Sequence, residues 1–498
     1  MASFLRLYRK CLVIGSGNPV HHRLLTVGLQ NLFNPLNWFA AGEQGAWYDP
    51  SDLTTLFQDS AGTIPVTAVE QPVGLMLDKS KGLALGAELV TNGDFSNGST
   101  GWTLGAGWSV ADGVATHTAG ASSFIRQGTA QANTWYKLQI TVSNYSGSGN
   151  VLPGIGNANP LSISANGTYT VYILTADTTG IYVYVQSPCV ASIDNISVKQ
   201  IAGNHAFQAT AGNRPTLSAR TNLLLATTTL ATQSVTSSAT NYTLAFTGAG
   251  TVTLSGTATG VLSAGSNTFT ATAGTLTLTV SGSVTLADLR PTNSGALLPP
   301  YQRVNTASDY DTVGFPLYLK ANGTSSAMST NSIDFTATDK MTVVTGVRKL
   351  GSTQQTYLAI SNAVGGGTGS FIALTDVTTA DNYYFAAQSS VVTAAIAKTY
   401  ISPLSSVVTN QIDFSQAGIA DSDRSRINGL VPTLTYAGTP GGTGTFGNYA
   451  TTLFYQQGAN PCNFNGQFYG AIIRGAQSDT ASVTQTENYM AQKTGITF

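Results

Sequence analysis

Residues 136–142 read Tyr-Lys-Leu-Gln-Ile-Thr-Val, and residues 181–185 read Ile-Tyr-Val-Tyr-Val. In the first run, apolar side chains alternate with polar ones. In the second run, aliphatic side chains alternate with tyrosines. Successive side chains of a β-strand point to opposite faces of a sheet, whereas a helix would repeat its apolar positions every three or four residues. Both stretches are therefore predicted to be strands of a β-sandwich.

The same alternation recurs along the rest of the chain. Thr or Ser alternates with apolar residues in 251–255 and 276–280, small residues alternate with larger apolar ones in 242–246, and longer apolar runs occupy 340–347 and 470–474. Charged residues make up only 9% of the sequence and there are 53 glycines, a composition that favours strands and turns over helices. A chain of 498 residues is long enough for about three domains. The expected fold class is all-β, with several β-sandwich domains.

Charge and cysteine content exclude several classes of function. The net charge is −1 and no Lys/Arg run follows one face, so nucleic-acid binding is not expected. Cys11, Cys189 and Cys462 are odd in number and far apart, which predicts reduced thiols and neither a disulfide framework nor a metal cluster. A nearly neutral surface favours a fixed place in an assembly over a dilute monomer.

The N-terminus carries basic residues before a short apolar run at 11–14, which Gly15-Ser16-Gly17 interrupts. The run is too short for the apolar region of a signal peptide. The sequence also contains no stretch of 18 apolar residues, the length needed to span a membrane. Residues 1–30 are interpreted as an anchoring arm that docks on a neighbouring subunit.

The region 88–200 opens with Asn92-Gly93-Asp94-Phe95 and Gly101-Trp102, and it closes with a strand-like run at 192–198. These elements resemble the jelly-roll carbohydrate-binding or galactose-binding-like domains. The resemblance implies a carbohydrate-binding module in which Phe95 and Trp102 fill the core. Residues 221–304 are predicted to form a small Thr/Gly-rich β-sandwich.

Residues 305–498 contain the run Phe-Asn-Gly-Gln-Phe-Tyr-Gly at 464–470, followed by an amphipathic segment at 480–493 that predicts a helix. This order resembles concanavalin A-like lectin/laminin-G sandwiches. The calcium ligands and catalytic glutamates of that family have no matching motif, so neither property is implied. No cofactor is expected, and calcium bound by loop oxygens is the one metal left open.

Residues 42–53 and 77–80, resumed at 203–206 and at Arg214-Pro215, resemble a leader found in structural proteins of tailed bacteriophages. The leader would comprise residues 31–87 and resume at 201–220. The jelly roll at 88–200 is then an insertion, and removing it would join Lys81-Gly82 closely to Gly203. The resemblance implies a virion protein and leaves head, tail and baseplate positions open.

Candidate functional residues follow from the chemistry of glycan binding, which uses aromatic rings beside hydrogen-bonding groups. Tyr182 and Tyr184 share one face of their strand, although packing into the core is an alternative for any of these aromatic residues. The predicted glycan-binding residues are Trp108, Tyr182, Tyr184, Tyr383 and Tyr384.

A catalytic site finds less support in the sequence. Glycan hydrolysis needs two carboxylates about 5–10 Å apart. The candidate pairs are Asp49 with Asp52, Asp309 with Asp311, and Asp421 with Asp423, and each also fits a turn or a solvated loop. His21, His22, His117 and His205 show no metal-ligand spacing outside the arm. No enzyme activity is predicted.

Together, the sequence and this resemblance imply a bacteriophage structural protein, namely a tail fibre or spike or another surface-exposed subunit, made in the bacterial cytoplasm and exposed on the particle. Its expected partners are other virion proteins through the N-terminal arm, host cell-surface polysaccharide, and further copies of itself, with a trimer as the expected homo-oligomer. Membrane insertion is not expected. Three alternatives stay open: a glycan depolymerase of the tail, a capsid (head) fibre or decoration protein, and a bacterial surface adhesin.

Overall fold

The computed structural model describes residues 33–498 apart from positions 119, 293–296, 351–353, 362–366, 376–382, 391, 398–403, 416–424, 433, 439–442 and 457–461. The expected anchoring arm, residues 1–30, lies outside the described residues, and so do Cys11, His21, His22, Asp421 and Asp423.

The described residues contain 32 strands and one α-helix, so the all-β prediction is confirmed. The first strands are β1 (Gly45–Tyr48), β2 (Leu56–Phe57), β3 (Leu75–Met76), β4 (Leu85–Glu88), β5 (Thr103–Leu104), β6 (Trp108–Ala111), β7 (Val114–His117), β8 (Ser123–Gln127), β9 (Trp135–Gly147), β10 (Val151–Ile155), β11 (Gly167–Leu174), β12 (Ile181–Val185) and β13 (Cys189–Ile201). The next are β14 (Ala206–Phe207), β15 (Thr216–Ser218), β16 (Gln233–Ser237), β17 (Thr240–Gly256), β18 (Gly260–Ala271), β19 (Gly274–Ser281) and β20 (Thr285–Pro291). The last are β21 (Tyr318–Asn322), β22 (Met328–Asp334), β23 (Lys340–Lys349), β24 (Gln355–Ile360), β25 (Ser370–Thr375), β26 (Tyr383–Gln388), β27 (Val392–Ala397), β28 (Ser405–Asp413), β29 (Ser425–Ile427), β30 (Leu434–Gly438), β31 (Asn448–Leu453) and β32 (Asn465–Arg474). The helix α1 is Thr480–Thr494, and short 3₁₀ helices occupy Pro35–Trp38, Leu53–Thr55 and Ala211–Asn213.

Strands β4–β13 form the jelly roll as two antiparallel sheets. One has the order β10-β12-β8-β5, and the other has the order β11-β9-β13-β7-β6 with β4 paired to β13. Alternate residues of each strand meet between the sheets, for example Ile140 of β9 and Val183 of β12, which are fully buried in one core. Phe95 and Trp102 are buried in the same core, with ring centroids 5.4 Å apart.

The turn at Asn92-Gly93 explains why this motif opens the module. Asn92 has a positive φ of 55°, and its carbonyl accepts a hydrogen bond of 3.0 Å from the Trp102 indole. Gly93 lies against the backbone of Ile196, and a Cβ there would overlap the Ile196 carbonyl oxygen. The glycine therefore allows the first turn of the module to pack on its last strand.

We expect the substitution Gly93→Ala to destabilise the jelly roll by about 1–3 kcal/mol, because the added methyl group must displace backbone. Gly212→Ala is the matched control, since a Cβ at Gly212 would meet nothing within 4 Å. Thermal unfolding of both variants checks the prediction, and equal midpoints would contradict it.

The large sandwich is also built from two sheets. One has the order β15-β21-β32-β23-β28-β29 with β1 paired to β32, and the other runs β2-β3-β14-β22-β31-β24-β25-β26-β27-β30. The segments expected as a leader thus supply β1–β3, β14 and β15 to this domain. The sandwich therefore begins well before the predicted boundary at residue 305.

The jelly roll leaves and re-enters this sandwich between adjacent strands. Met76 of β3 pairs with Ala206 of β14, so the chain on either side of the module meets directly. Near this junction between the two domains, the Trp135 ring packs edge-on against the His205 ring, with centroids 5.4 Å apart. The centroids of the Phe57 and Tyr172 rings lie 5.1 Å apart. The module is held by packed side chains as well as by its two connections.

Strands β16–β20 form a smaller module with its own core. Hydrogen bonds join them into one five-stranded sheet, in the region predicted as a small Thr/Gly-rich β-sandwich. The long strand β17 pairs with β18 along one edge and with β20 and then β19 along the other. Buried Leu244, Val252 and Leu278 belong to its core.

The C-terminal helix packs on the large sandwich, close to the predicted span 480–493. Asp479 caps its first turn by accepting a hydrogen bond of 2.9 Å from the Ser482 amide, and Gly495 ends it with φ 70°. The buried Glu487 carboxylate accepts hydrogen bonds from Arg426 and Thr409 at 3.0 and 2.8 Å. No helix in the described part of the chain has both the length and the apolar character needed to cross a membrane.

Candidate functional site

The outer face of the jelly-roll sheet β10-β12-β8-β5 carries an aromatic surface. In β12, Ile181, Val183 and Val185 point into the core, so Tyr182 and Tyr184 face outward and are half-buried. The register pairs Tyr184 with Phe124 and Tyr182 with Arg126 of β8, which places these four side chains on one face.

This face forms the floor of an open groove of about 580 Å³. Its lining combines three aromatic rings with amide, hydroxyl and guanidinium groups. The lining residues are Thr103, Phe124, Arg126, Gln127, Gly128, Asn157, Asn159, Thr179, Gly180, Tyr182 and Tyr184.

The groove depends on a glycine in the neighbouring strand. Gly154 of β10 pairs with Tyr182, and any Cβ at Gly154 would overlap the Tyr182 ring. The end of the Tyr182 ring therefore occupies the space beside Gly154, from which a larger residue would displace it. Burial, together with the Asp177 carboxylate, raises the pKa of the Tyr182 hydroxyl, so this group stays a neutral donor.

Some polar side chains of the lining already form hydrogen bonds within the protein, and others do not. The Gln127 amide is bound to the main chain of Thr91 at 2.9 and 3.1 Å. The exposed side chains of Asn157 and Asn159 make no hydrogen bond with described residues. Their amide groups are therefore accessible from solvent.

Two of the five predicted glycan-binding residues lie in the groove, Tyr182 and Tyr184, and two are buried elsewhere. Trp108 is 8% exposed and packs in the jelly-roll core, 5.2 Å from the His117 ring. Tyr383 is fully buried in the large sandwich. The expectation for Trp108 and Tyr383 is therefore corrected, because neither offers a ring face to solvent.

The fifth residue, Tyr384, is half-buried on the opposite face of β26 from Tyr383. It packs beside Ile372 and Leu374, away from the jelly-roll groove. The structure does not bring Tyr384 together with the other candidates.

Phe124 and Arg126 were missed by sequence reasoning although a signal exists. The run Ser-Phe-Ile-Arg-Gln at 123–127 alternates around Ile125, which is fully buried. That parity places Phe124 and Arg126 outward, but only the register between β8 and β12 puts them beside the tyrosines.

The described carboxylate pairs are held by cations. Asp49 and Asp52 converge on Lys79, at 3.3 and 2.7 Å, and Asp309 and Asp311 converge on Arg303, at 3.0 and 3.1 Å. Although burial opposes it, Lys493 and Lys79 lower the pKa of Asp49. These pairs act as ion-pair centres in the structure.

The described residues offer neither a cluster of metal ligands nor an activated thiol. Across the described ranges, no three His, Cys, Asp or Glu side chains converge as metal ligands. Cys189 is buried and Cys462 is half-buried, and both are free thiols. Burial raises the pKa of each thiol, which disfavours the reactive thiolate.

Comparison with known proteins gives a weak structural likeness to a solved toxin domain. No protein-family model matches the chain, and no curated protein matches it. Among solved structures, the crystal structure of the botulinum neurotoxin serotype C1 binding domain aligns with a TM-score of 0.26 and 13% sequence identity. The alignment covers 35% of this chain and 44% of the toxin domain, less than half the length of either.

Proposed function

We propose that this chain is a structural protein of a tailed bacteriophage particle that binds host-surface glycans through the jelly-roll groove. Glycan binding is proposed because the rings of Tyr182, Tyr184 and Phe124 face outward in the groove. Beside them lie the side-chain amides of Asn157 and Asn159, which form no hydrogen bond with described residues. An aromatic face packs on the apolar side of a sugar ring while amides bind its hydroxyls.

The lining supports binding without cleavage. No Asp or Glu lies among the residues that line this groove, whereas hydrolysis of a glycosidic bond needs two carboxyl groups. The groove is also open to solvent, as suits a polymer that passes over it. Adhesion is the function that this chemistry serves.

The phage setting rests on the sequence resemblance of residues 42–53, 77–80 and 203–206. In the fold these segments lie together at the base of the jelly roll, since β3 pairs with β14 and the amides of Trp47 and Asn204 both donate to Asp78. In the proposed particle, the jelly roll would face outward and the N-terminal arm would dock on a neighbouring subunit. Electron microscopy of particles labelled with antibody against this chain tests the location, and unlabelled particles would contradict it.

Glycan binding is tested with the variants Tyr184→Ala and Tyr184→Phe. Removing the ring is expected to weaken binding by about 2 kcal/mol, or about 30-fold, because a central aromatic contact is lost. The phenylalanine variant keeps the ring and serves as the matched control, with binding close to that of the unmodified chain.

The measurement is binding of the full chain to an array of bacterial surface polysaccharide fragments, followed by titration of the bound fragments. Both variants are first compared by thermal unfolding, since Tyr184 is half-buried. Equal binding by the unmodified chain and Tyr184→Ala, or oligosaccharide released from the fragments, would contradict the proposal.

A further inference from the structure

Arg126 stands apart from the other arginines that the structure describes. Arg303, Arg426 and Arg474 are paired with carboxylates, and Arg214 donates to main-chain carbonyls. Arg126 forms no hydrogen bond or ion pair with a described residue and is exposed on the floor of the groove. A cation on a binding surface is thus left without a counter-charge.

The position of Arg126 is fixed despite its exposure. It lies on β8, where the register places it between Thr103 of β5 and Tyr182 of β12. Its guanidinium carbon lies 5.1 Å from the centroid of the Phe124 ring. A cation over an aromatic face is attracted to it, and this contact restrains the long side chain.

Arg126 is also the charged residue of the lining, which otherwise holds neutral polar groups and rings. Asp177 is close enough to help raise the pKa of Tyr182, but it lies outside the lining and its Oδ1 accepts the Thr179 amide at 2.7 Å. The groove therefore presents a single positive charge to a ligand.

Resting on the proposed glycan binding, we infer that the groove selects acidic saccharides, with Arg126 as their anion contact. The planar guanidinium offers paired N–H donors that match the two oxygens of a carboxylate, and it also binds a phosphate group. A sugar ring over Tyr182 or Tyr184 brings an acidic substituent to the neighbouring strand, where Arg126 lies. The ligand class is a glycan that carries uronate or phosphate groups.

The test uses the full chain and an array that holds hexuronate-containing, phosphorylated and neutral fragments of matched length. Each hexuronate fragment that binds is also presented after reduction of its carboxyl groups to neutral hydroxymethyl groups. The unmodified chain is expected to bind acidic fragments and to lose at least about tenfold in affinity on carboxyl reduction, the loss expected for a charge-assisted hydrogen bond. Binding by the phosphorylated fragments alone would assign the charge to phosphate within the same class.

The variants are Arg126→Gln and Arg126→Lys, with Lys137→Gln as the matched control for net charge, since Lys137 lies on the other jelly-roll sheet. Arg126→Gln is expected to reproduce the loss seen on carboxyl reduction and to weaken binding to neutral fragments much less. Arg126→Lys is expected to be intermediate, and Lys137→Gln to bind like the unmodified chain. Affinity for acidic fragments should also fall as salt is raised from about 0.05 to 0.5 M.

Two results would overturn the inference while the proposed function stands. One is equal binding of neutral and acidic fragments, with Tyr184→Ala impaired and Arg126→Gln unaffected. The other is an equal loss on both fragment classes in Arg126→Gln, which would mean that the arginine only supports the Phe124 ring. If no fragment binds the unmodified chain, the proposed function and the inference fail together.

Discussion

Asp78→Ala is expected to destabilise the large sandwich by about 3–6 kcal/mol, because three buried amides lose their acceptor at once. The fully buried Asp78 carboxylate accepts hydrogen bonds from the amides of Trp47, Ser80 and Asn204 at 2.7, 2.8 and 2.7 Å. Those amides belong to β1, to the chain leaving toward the jelly roll and to the chain returning from it. One carboxylate therefore joins both connections of the inserted module to the edge of the sandwich.

A matched control for this variant is Asp94→Ala. Asp94 also accepts hydrogen bonds from the amide and hydroxyl of a serine two residues ahead, Ser96, but it lies on the surface. Its replacement is expected to leave the unfolding midpoint unchanged. Asp78→Asn, which keeps one acceptor oxygen, is expected to lie between the two.

Urea unfolding followed by tryptophan fluorescence measures these differences, since Trp47 and Trp135 lie beside the junction. Equal midpoints for Asp78→Ala and Asp94→Ala would mean that the junction does not depend on the carboxylate.

The second large effect is a loss of stability in mild acid that depends on His205. Burial lowers the pKa of His205 from 6.5 to about 3, and its Nδ1 accepts the Asp78 amide at 2.9 Å. The unfolded chain binds a proton at this residue below about pH 6.5 while the folded chain does not, so the stabilisation is present above that pH and is lost as the pH falls. Between pH 7.5 and pH 5 the loss should be about 2 kcal/mol.

The variant His205→Asn separates this effect from other groups. Asparagine can supply an acceptor near the position of Nδ1 and does not titrate. Burial raises the pKa of Asp78, so Asp78 acts in the opposite direction on lowering the pH, and it is retained in both proteins. The difference in the free energy of unfolding between the two proteins should therefore shrink from pH 7.5 to pH 5, and a constant difference would contradict the assignment.

The strands were predictable from the sequence because a half-buried strand leaves a period of two. The aromatic face of β12 follows from that period alone, and the structure confirms that Tyr182 and Tyr184 point away from the core. Applied consistently, the same parity would have corrected two site residues. Trp108 shares its face with Val110, which packs against the core, and Tyr383 shares its face with buried Phe385.

The pairing of distant strands was not predictable in this way. The order β10-β12-β8-β5 follows from the register of four strands separated by long connections, and no local pattern encodes it. Phe124, Arg126 and Asn159 therefore meet the tyrosines only in the fold. The early strands β1–β3 are short and buried at every position, so they lack the alternation that would mark them as strands of the sandwich.

The direct pairing of β3 with β14 has a consequence for how this chain could be altered. Because the connections to the jelly roll start from neighbouring strands, a different β-module with termini equally close together could replace it without rearranging the sandwich beneath. The replacement module would need apolar groups at the positions of Trp135 and Tyr172. Those groups would cover Phe57, Leu75 and Phe207 of the large sandwich. The proposed glycan specificity and the scaffold are in this sense separable parts of one polypeptide.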